Sequence, residues 1–309
     1  MENSNETSSN QFFLLSLADT PYLKALSVLI FLTMYILALS VNSLLITMVR
    51  SNLQLHTPMY FFLSNLSVID IGITSSVLPK LIIITITQDT SISRLGCALQ
   101  MFFHSALVGT ECILLAVMAY DRYVAICKPL HYNTITNKRF CTSIAAVCWA
   151  LGCINSSIHV PYTLQLPLCR SHHINHFFCE IPIFVHLSCQ DTWLHELSMY
   201  ISACVLGLSA FILTLSSYAY IISTILNIRS TEGRHKAFST CASHLTVVSL
   251  YYGPIMFMYL RPHSRDSPST EKIVSIMYTV VTPMLNPIIY SIRNKDIKVT
   301  VKGTMNKLS

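Results

Sequence analysis

Charge is scarce in this chain. Asp, Glu, Lys and Arg make up 11% of its 309 residues, while 52% of the residues are hydrophobic. A soluble domain carries about 25% charged residues, so the composition excludes an ordinary water-soluble globular protein. It indicates a chain that lies mostly within a lipid bilayer, and the bilayer is therefore its first expected partner.

Lysine and arginine are missing from seven long apolar stretches. Each stretch has about 20 residues or more, which is enough for a helix to cross a hydrocarbon core of about 30 Å. The sequence therefore predicts an all-α membrane protein, with a bundle of seven transmembrane helices over residues 25–292. The expected spans are 25–49, 58–79, 97–120, 140–160, 197–224, 237–260 and 273–292.

Basic residues are divided unequally between the segments that connect these stretches. If residues 1–24 lie outside the cell, 13 of the 20 Lys and Arg residues lie on the inner side, in agreement with the positive-inside rule. We therefore expect an extracellular N-terminus and a cytoplasmic tail at 293–309, which reads as a short basic amphipathic helix on the inner leaflet. The net charge of +6 reflects this topology and does not indicate nucleic-acid binding.

Motifs of enzymes and transporters are missing as well. The chain has no HExxH pair, no glycine-flanked serine nucleophile and no internal repeat, so a transporter or an intramembrane enzyme fits poorly. Residues 1–11, MENSNETSSNQ, are polar and lack the basic region with an apolar core that a cleavable signal peptide has, so we expect none. Asn5 begins a sequon for glycosylation on the outer side.

Two acidic residues, Asp70 and Glu111, interrupt the apolar spans. With a rise of about 1.5 Å per residue, Asp70 lies roughly 18 Å and Glu111 roughly 15 Å above the inner face, so the carboxyls meet near the middle of the bilayer. Like charges this close need a cation, a shared proton or strong hydrogen-bond donors. We expect Asn42 and Asn286, which lie somewhat deeper, to donate. A sodium ion and a shared proton are both open alternatives.

Four cysteines lie on the outer side of the predicted bundle. They are Cys97, Cys169, Cys179 and Cys189. In an oxidising compartment they can form two disulfide bonds in three pairings, and spacing alone does not choose among these. The second outer loop, expected at 161–196, also contains His172, His173 and His176. A free Cys179 beside these histidines could bind a soft metal. Oxidation of Cys179 would remove that ligand, and we expect no metal site.

Four stretches carry a family resemblance. They are PMYFFLSNLSVID at 58–70, MAYDRYVAICKPLHY at 118–132, KAFSTCASHL at 236–245 and PMLNPIIYSIRNKD at 283–296. In this order and on these helices, they resemble the olfactory receptors among the rhodopsin-like G-protein-coupled receptors. The resemblance implies a plasma-membrane receptor of olfactory cilia, which binds a small volatile odorant and activates a stimulatory heterotrimeric G protein. A receptor of the same fold for a metabolite or a lipid is the alternative.

The resemblance also implies roles for single residues. It favours the disulfide bond Cys97–Cys179 and leaves Cys169–Cys189 as the second bond. It also matches Asp70 and Asn286 to the polar core in which receptors of this family can bind sodium.

The inner ends of the helices predict a conformational switch. Asp121 and Arg122 stand where the third helix meets water, and an arginine paired with its neighbour can exchange partners when helices move. Pro287 removes a backbone hydrogen bond from the seventh helix, so that Tyr290 can swing towards Arg122. The predicted switch and G-protein-coupling residues are Asp121, Arg122, Tyr123, Tyr218, Asn286, Pro287 and Tyr290.

The outer third of the bundle is the expected ligand pocket. Its inward positions, taken at helical spacing, are apolar with a few hydroxyls and one imidazole, which suits a small, weakly polar ligand. The outer part of the third helix has no acidic residue to pair with an amine, and residues 273–292 contain no lysine that could hold retinal. The predicted ligand-binding residues are His104, Ser105, Val108, Gly109, Cys112, Ala203, Leu206, Gly207, Tyr252, Ile255, Tyr259, Tyr278 and Thr279.

Overall fold

The computed structural model describes residues 11–15, 20–168, 173–228, 230–260 and 268–293. Within these ranges it leaves out the side chains of residues 236, 239–240, 257–260, 268–269 and 291–293. The predictions for Asn5, Cys169, His172, the tail at 294–309 and the side chain of Tyr259 lie outside the described residues and stay predictions.

Seven helices form the bundle, which confirms the predicted fold class. Six of the described helices are long and apolar enough to cross a membrane, and the helix Thr231–Leu260 is the further member. The first four are Pro21–Ser51, Pro58–Thr87, Arg94–Cys127 and Lys138–Gln165. The fifth runs through Trp193–Ser202, Ala203–Leu208 and Ser209–Leu226. The sixth is Thr231–Leu260, and the seventh runs through Pro268–Ile276, Met277–Val281 and Thr282–Arg293.

The helices are longer than the apolar stretches that predict them. The second helix continues past Pro79 to Thr87. Lys80 lies within this extension, and its ammonium donates to the backbone oxygen of Ser91 at the water-facing end. The sequence places the start of the second outer loop at residue 161, but Pro161 lies inside the fourth helix, which ends at Gln165. Long basic side chains and prolines are tolerated near helix ends, so hydropathy alone makes the spans too short.

The third helix lies at the centre of the bundle. In its most apolar window 67% of the residues are buried by other parts of the chain, against 11% in the fifth helix and 22% in the first. The exposed large hydrophobic residues of the first and fifth helices are mostly Leu, Ile and Val, which are side chains that face lipid in a membrane protein. The third helix packs against the second, fourth, fifth and sixth helices.

Gly152 allows the fourth helix to pack closely against the third. A Cβ atom at this position would collide with Thr110 Oγ1 and with the backbone oxygen of Ala106, and the backbone cannot move aside cheaply. We expect Gly152→Ala to lower the stability by about 1–3 kcal/mol through overpacking and to reduce the amount of receptor at the cell surface. Flow cytometry of the tagged receptor measures this. Gly253→Ala is the control, because nothing lies within 4 Å of a Cβ there; equal surface levels for the two variants would contradict the packing argument.

The outer ends of the helices are covered by a small cap. Strand β1 (Gln11–Phe13) pairs antiparallel with strand β2 (Ser91–Ser93) in the first outer loop. The second outer loop joins this sheet, since Ile174 N donates to the Phe13 oxygen at 2.7 Å. Cys97 and Cys179 form a disulfide bond, with their Cα atoms 5.5 Å apart, as the resemblance implies. The cap thus holds the second outer loop against the top of the third helix.

Candidate ligand pocket and switch

A buried polar core joins the second, third and seventh helices. Asn286 Nδ2 donates to Asp70 Oδ1 at 3.0 Å and to Glu111 Oε1 at 3.3 Å, and none of the three residues is more than 1% exposed. The sequence predicts that the two acids lie at one depth in the bilayer, and in the structure both accept a hydrogen bond from the same amide group. Asp70 Oδ2 and Asn286 Oδ1 have no hydrogen-bond partner among the described residues. Two carboxyls this close need a cation, a shared proton or strong hydrogen-bond donors.

Asn42 has a different role from the predicted one. Its Nδ2 donates to the backbone oxygens of Ala38, at 3.0 Å, and Pro283, at 3.1 Å, so the prediction that it donates to the two acids is wrong. Pro287 is the reason. It lacks the N–H that would normally bond the Pro283 oxygen four residues earlier, and Asn42 supplies the missing donor from the first helix. Asn42 therefore supports the proline site of the seventh helix.

The Asp–Arg pair stands at the inner end of the third helix. Arg122 Nη2 lies 3.9 Å from Asp121 Oδ2, and Arg122 Nε has no partner among the described residues. Tyr132 in the second inner loop donates to Asp121 Oδ1 at 2.9 Å. Burial and the Asp121 charge raise the pKa of Tyr132, so its hydroxyl stays a donor. Sequence reasoning missed Tyr132, although it ends the motif at 118–132.

His244 is the second residue that sequence reasoning missed at the inner side. Tyr218 Oη and the Nδ1 atom of this histidine lie 2.8 Å apart in a hydrogen bond, which joins the fifth and sixth helices. The Tyr290 ring lies 6.4 Å from the His244 ring, and the Tyr290 hydroxyl is buried without a partner in the described part of the chain. The Tyr123 ring faces the Tyr220 ring at 5.8 Å. Two of the predicted switch residues, Tyr218 and Tyr290, thus lie beside the His244 imidazole, and the switching role of the whole set stays a prediction.

Most of the predicted pocket residues lie inside the outer half of the bundle. Tyr252 Oη donates to the backbone oxygen of Cys112 at 2.9 Å, and Cys112 Sγ lies 3.4 Å from the same hydroxyl. His104, Cys112, Tyr252, Tyr278 and Thr279 are buried, whereas Ser105, Val108, Ala203, Leu206, Gly207 and Ile255 are partly exposed.

Gly109 needs a correction. A Cβ atom at Gly109 would touch the Cα atom of Gly152 at 3.6 Å, so this glycine faces the fourth helix and leaves no room in the pocket. Gly207 does leave open space, since nothing lies within 4 Å of a Cβ built there.

Two irregular segments carry several of the predicted pocket residues. The fifth helix is π-helical over Ala203–Leu208, and the seventh over Met277–Val281. The first segment contains Ala203, Leu206 and Gly207, and the second contains Tyr278 and Thr279. A π-helical turn has one more residue than an α-helical turn, and such turns occur often at functional sites. Because they rest on tertiary packing, the sequence pattern does not predict them.

The second outer loop closes the top of the bundle. Cys179 N donates to Gln100 Oε1 at 2.8 Å, beside the disulfide bond to Cys97. Phe178 is fully buried, and its ring lies 5.0 Å from the His104 ring. Cys189 is also disulfide-bonded. Its expected partner, Cys169, lies beyond the described residues, so that pairing stays a prediction.

Glu180 follows Cys179 and points to the seventh helix. Its Oε1 accepts a hydrogen bond from Tyr278 Oη at 2.6 Å. Burial raises the pKa of Glu180 to about 7, the Tyr278 hydrogen bond opposes this shift, and Glu271 adds to it. Glu180 therefore brings a carboxyl to the outer end of the bundle, although the third helix has none there. Sequence reasoning missed this residue, because only the loop geometry aims its side chain.

The loop histidines do not form a metal site with Cys179. The sulfur of Cys179 is bonded to Cys97, so it cannot act as a thiolate ligand. His176 is buried and stacks on the Phe177 ring at 4.5 Å, and burial together with Lys272 lowers its pKa to about 3. Over the described ranges, His, Cys, Asp and Glu nowhere gather in threes that could hold a metal ion.

Two surface clefts flank the start of the third helix. One, of about 430 Å³, is lined by Ser76, Lys80, Ser91, Ile92, Ser93, Gly96, Leu99, Gln100 and Phe103. The other, of about 460 Å³, is lined by Ser93, Arg94, Leu95, Ala98 and Leu164. Neither contains a predicted ligand-binding residue, so both are separate from the expected pocket.

Seven membrane helices around a buried acid pair, with a capped outer end and an Asp–Arg pair at the inner end, define a receptor of the G-protein-coupled class. A sequence model described as "Olfactory receptor" matches residues 31–307. The chain is similar to human olfactory receptor 2G6, with 47% identity over 96% of this chain and 94% of the relative. It is also similar to human olfactory receptor 5B21, at 46% over 100% and 99%, and to mouse olfactory receptor 5AP2, at 45% over 99% and 96%.

The chain belongs to the olfactory receptor family. It is an odorant receptor that acts through G-protein signalling, and it is a multi-pass protein of the plasma membrane. The family is one of receptors and not of enzymes.

Proposed function

We propose that this receptor activates a stimulatory G protein when a small, weakly polar volatile binds between the outer ends of its third, fifth, sixth and seventh helices. The observation that carries the proposal is a path of buried polar residues, joined by hydrogen bonds and by one step along the third helix. Tyr252 contacts Cys112 in the outer half, Glu111 precedes Cys112 in the chain, and Asn286 joins Glu111 to Asp70. The path begins where a ligand is expected and ends at the proline site of the seventh helix.

The path gives a ligand a way to act on the inner face. A ligand that displaces Tyr252 from Cys112 shifts the third helix against the sixth, and the Glu111–Asn286 hydrogen bond changes with it. Asn286 precedes Pro287, where the helix lacks one backbone hydrogen bond. Rotation there moves Tyr290 relative to His244, which lies 6.4 Å away ring to ring. The ligand needs only a few kcal/mol of preference for the active arrangement to shift the population.

The experiment that tests the coupling is a comparison of G proteins. Cells expressing the receptor are exposed to a chemically diverse panel of volatiles, and cyclic AMP is recorded. Nucleotide exchange on purified stimulatory and inhibitory heterotrimers is then measured with each active compound. We expect faster exchange on the stimulatory heterotrimer and a rise in cyclic AMP. Faster exchange on the inhibitory heterotrimer alone would contradict the proposed partner.

We further propose that a sodium ion binds at the polar core. Asp70 Oδ2 and Asn286 Oδ1 are buried oxygens without partners among the described residues, and hard cations prefer oxygen ligands. An ion that binds only the folded state raises the free energy of unfolding. Each kcal/mol gained raises Tm by about 2–4 °C. We expect purified receptor to melt higher in sodium chloride than in choline chloride, and Asp70→Asn to remove the difference.

The control for this test is Asp89→Asn, because Asp89 lies in the exposed first outer loop and should leave the sodium effect unchanged. Equal melting temperatures of the unmodified receptor in the two salts would contradict the sodium site and favour a shared proton.

A further inference from the structure

Four polar residues meet beneath the second outer loop, and we call them the outer polar cluster: His104, His176, Glu180 and Tyr278. Tyr278 Oη donates to Glu180 Oε1 at 2.6 Å, and the Tyr278 ring lies 6.0 Å from the His104 ring. His104 is 4% exposed, and its Nδ1 atom has no partner among the described residues. The cluster therefore combines one carboxyl that already accepts a hydrogen bond with two buried imidazoles, His104 and His176, whose Nδ1 atoms have no partner among the described residues.

The loop holds the Glu180 carboxyl in place. The preceding residue, Cys179, is fixed by its disulfide bond to Cys97 and by the hydrogen bond of its N–H to Gln100. Phe178 packs on His104. A carboxyl that follows two anchored residues in this way can recognise a group brought to it, since little conformational freedom remains to be lost.

Tyr278 has a second partner available. Its hydroxyl lies 3.4 Å from Ser275 Oγ, one turn earlier in the seventh helix. The tyrosine belongs to the π-helical segment Met277–Val281, eight positions before Asn286 of the polar core. If another donor takes its place at Glu180, the Tyr278 hydroxyl can turn to Ser275, and the irregular turn can change shape.

The chemistry of the cluster favours a hydroxyl group as the incoming donor. A hydroxyl can donate to the Glu180 carboxyl and also meet the unfilled His104 nitrogen, because it both donates and accepts. An ammonium group only donates, so it leaves the His104 nitrogen without a partner. It would also approach the positive charge of Lys272, which acts on His176 of the cluster. An ether or a hydrocarbon has no proton to donate.

We propose that Glu180 selects odorants that carry a hydroxyl group, and that this hydroxyl replaces Tyr278 as the hydrogen-bond donor to the Glu180 carboxyl. This inference rests on the proposed function and names its ligand class. The replaced Tyr278 then changes the π-helical segment of the seventh helix, which leads to Asn286.

The test compares aliphatic, alicyclic and aromatic alcohols, each beside its own methyl ether. Cyclic AMP dose–response curves are recorded for the unmodified receptor, Glu180→Gln and Tyr278→Phe, with surface amounts measured in parallel. We expect active alcohols to be about tenfold or more as potent as their ethers, as for a hydrogen bond to the ionised form of the Glu180 carboxyl. Glu180→Gln should reduce this preference to about threefold or less, since the acceptor loses its charge. Tyr278→Phe should make alcohols more potent and leave ethers unchanged, because the competing donor is gone.

Glu271→Gln is the matched control. It removes a carboxyl that acts on Glu180 only through its charge, and it should keep the preference for alcohols. If Glu180→Gln does not reach the surface, Tyr278→Phe still decides the question, because a purely structural role of Tyr278 would weaken both ligand classes alike. Ethers as potent as alcohols on the unmodified receptor would overturn the inference, and so would an unchanged preference in Glu180→Gln.

A second readout separates this inference from the proposed coupling. Purified receptor is heated with each alcohol and each ether, and the shift in Tm is recorded. Larger shifts with alcohols, without any cyclic AMP response, would support the selection by Glu180 and contradict the stimulatory G protein. Cyclic AMP responses to ethers and alcohols alike, with equal shifts in Tm, would support the coupling and contradict the selection. The absence of any larger shift with an alcohol overturns the inference.

Discussion

Replacing Arg122 with alanine is expected to abolish the odorant response while leaving the receptor at the cell surface. Arg122 is 15% exposed, lies 3.9 Å from Asp121 and keeps an unpartnered buried Nε in the described structure. Its charge is therefore held loosely enough to change partner when the helices move. Couplings between sites in proteins typically amount to about 1–3 kcal/mol, or 5- to 150-fold. We expect the cyclic AMP response to an active odorant to fall by a factor at the upper end of that range.

Arg139→Ala is the control for this prediction. It removes the same charge at the inner face, but Arg139 is exposed at the start of the fourth helix, so the response should persist. A full response in Arg122→Ala at equal surface amounts would show that the Asp–Arg pair is not a switch.

Replacing Cys97 with serine is expected to keep the receptor from reaching the surface. The bond between Cys97 and Cys179 closes a loop of 82 residues, and a loop of that size corresponds to about 4 kcal/mol in the chain-entropy account. It also fixes the loop that carries Phe178 and Glu180 over the bundle. We expect surface staining to fall close to the level of untransfected cells, with the protein retained inside.

A double replacement distinguishes the bond from the separate side chains. Because Cys97→Ser and Cys179→Ser break the same bond, the variant with both changes should be no worse than either single variant. Cys153→Ser, at an exposed free cysteine of the fourth helix, should reach the surface normally. Normal surface amounts of Cys97→Ser would contradict the role given to the outer disulfide.

The helices and the acid pair could be predicted because they rest on properties of single segments. An apolar stretch of about 20 residues without lysine or arginine has few alternatives to a membrane helix. Asp70 and Glu111 are expensive in lipid, and a fixed rise per residue placed them at one depth. The structure then joined them through Asn286.

Other features could not be predicted because they arise from contacts between distant segments. Asn42 donates to the Pro283 oxygen. The estimated depth of Asn42 in the bilayer does not show that Pro287 leaves this oxygen without its usual donor. Glu180 accepts a hydrogen bond from Tyr278, 98 positions later in the chain. The conformation of the disulfide-bonded loop brings the two side chains together. Strand β1 is three residues long and pairs with a loop strand, so it has no periodicity of its own.

Tyr132 and His244 are intermediate cases. Both lie inside the sequence motifs that carry the family resemblance, so the sequence predicts that the segments around them are functional. Their partners, Asp121 and Tyr218, are among the predicted switch residues. The pairing itself depends on how the inner loop and the sixth helix pack, which no spacing rule contains.

Nucleotide exchange tests the central claim most directly. Purified receptor in lipid nanodiscs is mixed with a stimulatory heterotrimer, and the release of bound nucleotide is timed with and without a volatile that stabilises the receptor. Ligand binding at the outer end should speed the release, and Arg122→Ala should bind the volatile equally well without speeding it. Unchanged release with the unmodified receptor, for every volatile that binds, would contradict the account.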